Sequence, residues 1–208
     1  MTYKILIAGP QGSGKGTQAE RLAKRLGIPA LSMGQLLRDE VAAGTELGNR
    51  MKAAVEGGGL VPESIAADIL KERLKRSDVA NGYILDGYPR SVGQLSYFTF
   101  DTPTHVIVLD VPREESLRRL THRLTCTKCG AVANELDGRA KGDACACGGV
   151  FEKRKDDVPE AIERRLGIYA NETTPVLNEF GKRGSLRHVD GVGSIPLVTE
   201  RIEKELGL

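Results

Sequence analysis

Short apolar runs alternate along the chain with longer stretches whose apolar residues recur at helical spacing. Tyr3–Ala8 is nearly uninterrupted in its apolarity, the pattern of a strand covered on both faces. Further short runs at 29–31, 83–85, 105–109 and 186–189 predict four more strands. Helices are predicted at 17–26, closed by Gly27, at 36–43, closed by Gly44, and at 47–55, closed by Gly57-Gly58-Gly59. Another opens at Pro62, with Ile65, Ile69, Leu70 and Leu74 on one face. The pattern gives further helices at 113–123, 159–181 (interrupted near Pro175) and 196–206. Strands alternating with helices predict an α/β fold, a five-stranded parallel sheet with helices on both faces. Two regions depart from the alternation, 32–61 and 124–157, and read as insertions into one core formed by 1–31, 62–123 and 158–208. With no internal repeat and no low-complexity linker, 1–208 reads as a single chain unit.

The 208 residues suffice for one such domain, and with few aromatics and no Trp its core must be aliphatic. A net charge of +2 with both signs interspersed lacks the clustered basic surface of a nucleic-acid binder. No apolar run approaches a membrane span, and the N-terminal residues enter a strand without a signal-peptide pattern. A cytoplasmic, monomeric protein with no nucleic-acid or membrane partner is therefore expected. All four cysteines fall in one segment, which in a reducing compartment favours metal over disulfides.

Candidate chemistry concentrates in three places. Gly9-Pro10-Gln11-Gly12-Ser13-Gly14-Lys15-Gly16-Thr17, between the first strand and the first helix, is a phosphate-binding loop of the G-x-x-x-x-G-K type. Its glycines let successive N–H groups face one hollow at a helix N-terminus, and Lys15 adds a mobile cation. Gly16 occupies the place usual for Ser or Thr and Thr17 follows, so magnesium is expected to be held less directly than in a GTPase. Asp86-Gly87-Tyr88-Pro89-Arg90 follows a strand, at the sheet edge where α/β proteins bind ligands. There Asp86 suits a magnesium-bound water and Arg90 a second phosphate. Cys126-Thr127-Lys128-Cys129-Gly130 and, fifteen residues on, Cys145-Ala146-Cys147 make a four-thiolate set suited to structural zinc. Its C-x-C half leaves iron, free thiols or a disulfide open. His122, four residues before Cys126, is a substitute ligand, whereas His105 and His188 read as strand-end or surface residues.

The sequence resembles the adenylate kinases, nucleoside monophosphate kinases of the bacterial long-lid type. The resemblance rests on the 9–17 loop, Ser32-Met33-Gly34-Gln35-Leu36-Leu37-Arg38, Gly59-Leu60-Val61-Pro62, Asp86–Arg90 with Gln94, Arg119 with Arg123, and Arg154-Lys155-Asp156-Asp157 with Arg165. These run in family order over nearly the whole chain. The resemblance implies a P-loop NTPase three-layer fold in which 32–61 is an NMP-binding insertion and 124–157 a LID. It implies the reaction Mg-ATP + AMP ⇌ two ADP, with ATP, AMP and ADP as partners, Mg2+ as cofactor and zinc in the lid. ATP would lie on Gly12, Ser13, Gly14, Lys15, Gly16, Thr17, Arg119 and Arg123. AMP would lie on Met33, Gly34, Arg38, Gly59, Leu60, Val61, Gly87, Arg90, Gln94, Arg154 and Arg165. Lys15, Arg90, Arg123, Arg154 and Arg165 would be catalytic. Asp86, Asp156 and Asp157 would hold magnesium through water, and Cys126, Cys129, Cys145 and Cys147 would hold zinc. Arg119 and Arg123, four apart on a predicted helix, would share a face. Arg118 and Arg164 read as solvated. The attacking AMP phosphate is already anionic, so no catalytic His or Glu is needed. Both insertions would close over their nucleotides and expel water.

Two departures stand out: Met33-Gly34-Gln35 where the family usually has Thr-Gly-Asp, and Pro10-Gln11 where it has a small residue and then proline. Met33 offers no hydrogen bond to a base, which keeps a UMP/CMP or other nucleoside monophosphate kinase as the alternative. A more distant one is a nucleotide switch or nucleic-acid module with the cysteines as a zinc ribbon. The mixed charge of that segment, with Phe151 its sole aromatic, speaks against it.

Overall fold

A computed structural model describes residues 2–154 and 156–208; Lys155 of the Arg154–Asp157 motif lies outside the described residues. The central sheet comprises β1 (Tyr3–Ala8), β2 (Ala30–Ser32), β3 (Gly82–Asp86), β4 (His105–Asp110) and β8 (Leu186–Asp190). They are parallel throughout and ordered β2-β3-β1-β4-β8.

The pleat explains the two covered faces. Ile5 and Ile7 of β1, with Ile84, Ile107, Leu109 and Val189, pack under α1 (Lys15–Leu26) and α9 (Ile195–Leu206), which contribute Leu22 and Ile202. Leu6, Leu31, Leu85, Val106 and Val108 face the other way. They meet Ala66 and Leu70 of α4 (Glu63–Arg73) and Val176 and Phe180 of α8 (Thr174–Lys182). α2 (Met33–Ala42) and α3 (Glu46–Glu56) extend that cluster through Met33 and Met51. A short helix, α5 (Val92–Tyr97), follows β3; six residues are too few for a legible period, and the sequence pattern missed it.

Three further boundaries differ from the sequence reading. α6 (Arg113–Thr121) stops at Thr121, and Arg123 opens strand β5 (Arg123–Cys126). Arg119 and Arg123 therefore do not share a helix face. The irregular segment around the cysteines contains a three-stranded antiparallel sheet, ordered β6 (Val132–Asn134), β5, β7 (Phe151–Glu152). Among the described residues its core is Leu124, Cys126 and Phe151 with partly buried neighbours. The long helix predicted at 159–181 is not broken at Pro175, which sits in the first turn of α8. Instead α7 (Pro159–Ile168) passes through a π-helical turn, Tyr169–Thr173, into α8.

Candidate active site

The phosphate loop links β1 to α1 along the seam between sheet and helices. Gly9, Gly12 and Gly14 have φ of 145°, 85° and 88°, and a methyl on Gly12 would stand 2.6 Å from the Ser116 carbonyl oxygen. Only glycine satisfies both the backbone angle and the space. α1 begins at Lys15, two residues ahead of the apolar pattern, so its free N–H groups open directly into the cleft. The Lys15 ammonium donates to the Pro10 carbonyl at 3.2 Å. Burial pulls the Lys15 pKa down to about 8, against the opposing pull of Asp86.

Arg119 braces this loop. Its guanidinium donates to the carbonyls of Ser13 (3.3 Å) and Gly191 (3.2 Å), and to Glu115 at 2.7 Å. Glu115, which the sequence did not single out, is held down to about 2 by hydrogen bonds from Arg118 and then Arg119. Arg118 is solvent-exposed, as expected, and also pairs with Glu115.

The expected ATP residues Gly12, Ser13, Gly14, Lys15, Gly16, Thr17, Arg119 and Arg123 all line one cleft of about 720 Å³. The expected AMP residues Met33, Gly34, Arg38, Gly59, Leu60, Val61, Gly87, Arg90, Gln94, Arg154 and Arg165 all line a second cavity of about 120 Å³. Arg38, Asp86, Arg123 and Arg154 border both, so the two spaces meet at a wall of charge. Asp86 faces the start of α1: a methyl on Gly16 would stand 3.6 Å from its Oδ2. Its Oδ1 is buried with no hydrogen-bond partner among the described residues.

Beyond Asp86 the cations are ordered by carboxylates. Arg123 donates twice to Asp157 (2.7 and 2.5 Å), and Arg154 donates twice to Asp156 (2.9 and 2.8 Å). The buried Arg165 reaches both, at 3.3 Å to Asp156 and 3.0 Å to Asp157. Burial opposes ionisation of Asp156, yet Arg154 and Arg165 hold its pKa below the ordinary value. Asp156 and Asp157, expected near magnesium, are here bonded to guanidiniums, and Asp157 is only 2% exposed beneath them.

In the second cavity Arg38 donates to Gln35 at 2.7 Å and Arg90 to the Gly87 carbonyl at 2.8 Å. Burial lowers the pKa of both, Arg38 to about 10. Thr173, presented by the π-helical turn, donates to the Arg90 carbonyl at 2.9 Å. Gln94 is nearly buried, and its Oε1 accepts the Arg90 backbone N–H at 2.8 Å. That bond takes one of the two Oε1 lone pairs, so the amide still has a donor and an acceptor to offer a ligand.

The four cysteine sulfurs lie within 4.8 Å of one another, with Cys126–Cys147 at 3.5 Å and Cys129–Cys145 at 3.7 Å. All are free thiols, too far apart for a disulfide bond. A zinc–sulfur bond of about 2.3 Å in a tetrahedron sets sulfurs about 3.8 Å apart, so the donor set fits a tetrahedral soft ion. The C-x-C half closes through a turn in which Gly148 N–H donates to Cys145 O and Cys145 N–H to Gly149 O. Gly149 is required, since a methyl there would stand 2.7 Å from Cys126 Sγ. The Lys128 N–H donates to the Cys126 sulfur at 3.4 Å, and the Gly130 N–H to the Cys126 carbonyl at 3.1 Å. His122 is not in the set; its Nδ1 lies 2.9 Å from the Arg118 carbonyl.

A glycine loop at the C-terminal edge of a parallel sheet, opening onto two joined cation-lined cavities, defines a P-loop phosphotransferase. The profile of the adenylate kinase family matches residues 7–185. An adenylate kinase of Kosmotoga olearia is 41% identical over 213 residues, covering 97% of this chain and 98% of its own length. One from Thermodesulfovibrio yellowstonii is 40% identical over 200 residues, covering 92% and 93%, and one from Archaeoglobus fulgidus 39% over 210 residues, covering 96% and 95%. The chain belongs to the adenylate kinase family, and is accordingly an enzyme that transfers a phosphoryl group between ATP and AMP.

Proposed function

We propose that the larger cleft takes Mg-ATP, the smaller cavity takes AMP, and the terminal phosphoryl group passes between them at the shared wall of Asp86, Arg123 and Arg154. The single observation behind this reading is that each residue expected for either nucleotide lines its own cavity, and the two cavities share those side chains. An oxygen of the AMP phosphate forms a bond to the γ-phosphorus. The bond to the β,γ-bridging oxygen breaks, and its electron pair leaves with ADP. No proton need move, so the chain's task is positioning and charge neutralisation. Lys15 and the loop N–H groups hold the donor phosphates; Arg38 and Arg90 hold the acceptor phosphate. Arg123, Arg154 and Arg165 meet the charge that develops on the group in transit, oriented beforehand by Asp156 and Asp157.

The Asp86 Oδ1, without a hydrogen-bond partner among the described residues, and the Thr17 hydroxyl in the same cleft are hard oxygen donors suited to a hydrated magnesium ion, with Asp86 acting through water. Magnesium bound there would neutralise charge on the β- and γ-phosphate oxygens. Zinc on Cys126, Cys129, Cys145 and Cys147 would tie together a segment that has almost no core, a folding role. Residues 32–61 and 124–157 act as the NMP-binding insertion and the LID. A monomer in the cytoplasm completes the reading. Among the described residues no helix is long and apolar enough to cross a membrane.

With Nε2 donors and one Oε1 lone pair free, Gln94 favours a base that presents a ring acceptor beside an amino group, as adenine does, over guanine or uracil, which present a ring N–H beside a carbonyl. A coupled assay of ADP formation from ATP with AMP, CMP, UMP or GMP, with and without magnesium, tests the reading. AMP should be the preferred acceptor and magnesium required. A faster rate with CMP or UMP would transfer the reading to a pyrimidine nucleotide kinase, and no ADP from any acceptor would overturn it.

A further inference from the structure

Gln35 stands where the resembling pattern has aspartate, and it has no place in either nucleotide set. Its backbone N–H is capped by the Ser32 hydroxyl at 3.4 Å, which fixes it in the first turn of α2. Its Nε2 donates to Asp39 Oδ1, one turn on, at 2.7 Å. That bond decides which way the amide faces. The opposite end, Oε1, accepts from Arg38 Nη2 at 2.7 Å. The same oxygen lies against the cysteine segment: a methyl on Gly130 would stand 3.3 Å from it. Gly130 holds φ +74° in the turn after Cys129, and its N–H donates to the Cys126 carbonyl at 3.1 Å. The tip of the cysteine knuckle therefore rests on the amide that orients an acceptor-side guanidinium. Gln35 and Gly130 both wall the donor cleft, while Arg38 borders both cavities.

We propose that Gln35 is a positioning residue that couples closure of the cysteine segment over the donor to the setting of Arg38 for the acceptor phosphate. With the segment closed, Gly130 shields the Gln35–Arg38 hydrogen bond from water. With it open, water competes for both groups and the bond loses most of its net value. A donor nucleotide that draws the segment shut thereby fixes Arg38 before the acceptor arrives. Because binding free energies are linked, the acceptor tightens the donor by the same factor.

This inference rests on the proposed donor and acceptor assignment, and the test separates the two. AMP is titrated calorimetrically into the protein with and without the magnesium complex of a β,γ-imido ATP analogue. In the wild type the analogue should tighten AMP by about tenfold. In Gln35→Leu, which removes the amide, the tightening should fall to about twofold or less, with the analogue's own affinity in the absence of AMP unchanged. The melting temperature should stay put, so that a merely structural role would not produce the result. Should Gln35→Leu fail to fold, Gln35→Asn, one methylene short of Arg38, reads the same quantity. Undiminished tightening in the variant, or no tightening in the wild type, overturns the coupling. A wild type that makes no ADP from AMP instead overturns the assignment beneath it.

Discussion

The phosphate loop and the cysteine segment both bring charge to the same cleft, but they are held in place by different physics. The loop is pinned between two aliphatic clusters, with β1 and α1 at 0% exposure at Ile5 and Leu22. Its backbone runs so close to α6 that no side chain fits at Gly12. The cysteine segment has a core of three residues and leaves Val132, Leu136 and Val150 largely exposed. Four clustered sulfurs stand in for a core there, so with zinc bound as proposed its order would rest on an ion, whereas that of the loop rests on apolar burial. On the proposed assignment, main-chain donors held by a packed core face the donor phosphates, and Arg123 and Arg154 of the cysteine segment complete the site.

This contrast is open to direct challenge. Lys15→Met should lower kcat by about a thousandfold or more while leaving the melting temperature unchanged or raised, because a charged group costly to bury is replaced by an apolar one. Circular dichroism melts beside steady-state kinetics check both halves. A strong chelator should act in the reverse sense, lowering the melting temperature by about 10 °C and unfolding the cysteine segment before the sheet. Hydrogen exchange would locate the loss; equal loss of protection in β1 would erase the distinction between the two regions. Arg90→Ala should raise the KM for AMP by about 10- to 100-fold with little change in ATP affinity, the cost of one charge-assisted contact to a phosphate.

The smallest effect concerns pH. The Lys15 pKa is lowered to about 8, so its charge is present below that value and is lost as pH rises through it. kcat/KM for ATP should accordingly fall above about pH 8, approaching tenfold per unit, and this limb should be absent from Lys15→Met. The stability sign is opposite. Between about 8 and the ordinary value of 10.5 the unfolded chain holds the Lys15 proton more firmly than the folded one, so this residue's contribution to stability rises with pH over that window.

How much of the site is readable from sequence follows the distance over which each part is specified. The loop at 9–17, Arg90 and Gln94 lie in contiguous stretches whose residue types state their chemistry, and the five parallel strands follow from apolar runs. The brace from Arg119 to Gly191 joins residues 72 apart in the chain and leaves no local pattern. Arg123 looked helical because its spacing from Arg119 is helical, yet it pairs with Asn134 across the small sheet. That sheet was hidden because its strands have four, three and two residues, too few to show an alternation. The bond from the Arg90 N–H to the Gln94 oxygen and the resting of Gly130 on Gln35 are likewise set by packing rather than by residue type.

Everything in the account turns on two anionic substrates meeting end to end between the loop and the guanidiniums. A crystal structure with two adenosines bridged by five phosphates measures this most directly. The account predicts one adenosine beside Gly191 and Ile195, the other beside Gln94, and the phosphate chain running from Lys15 past Asp86 to Arg38 and Arg90. A phosphate chain lying away from Lys15 and Arg90 would contradict it.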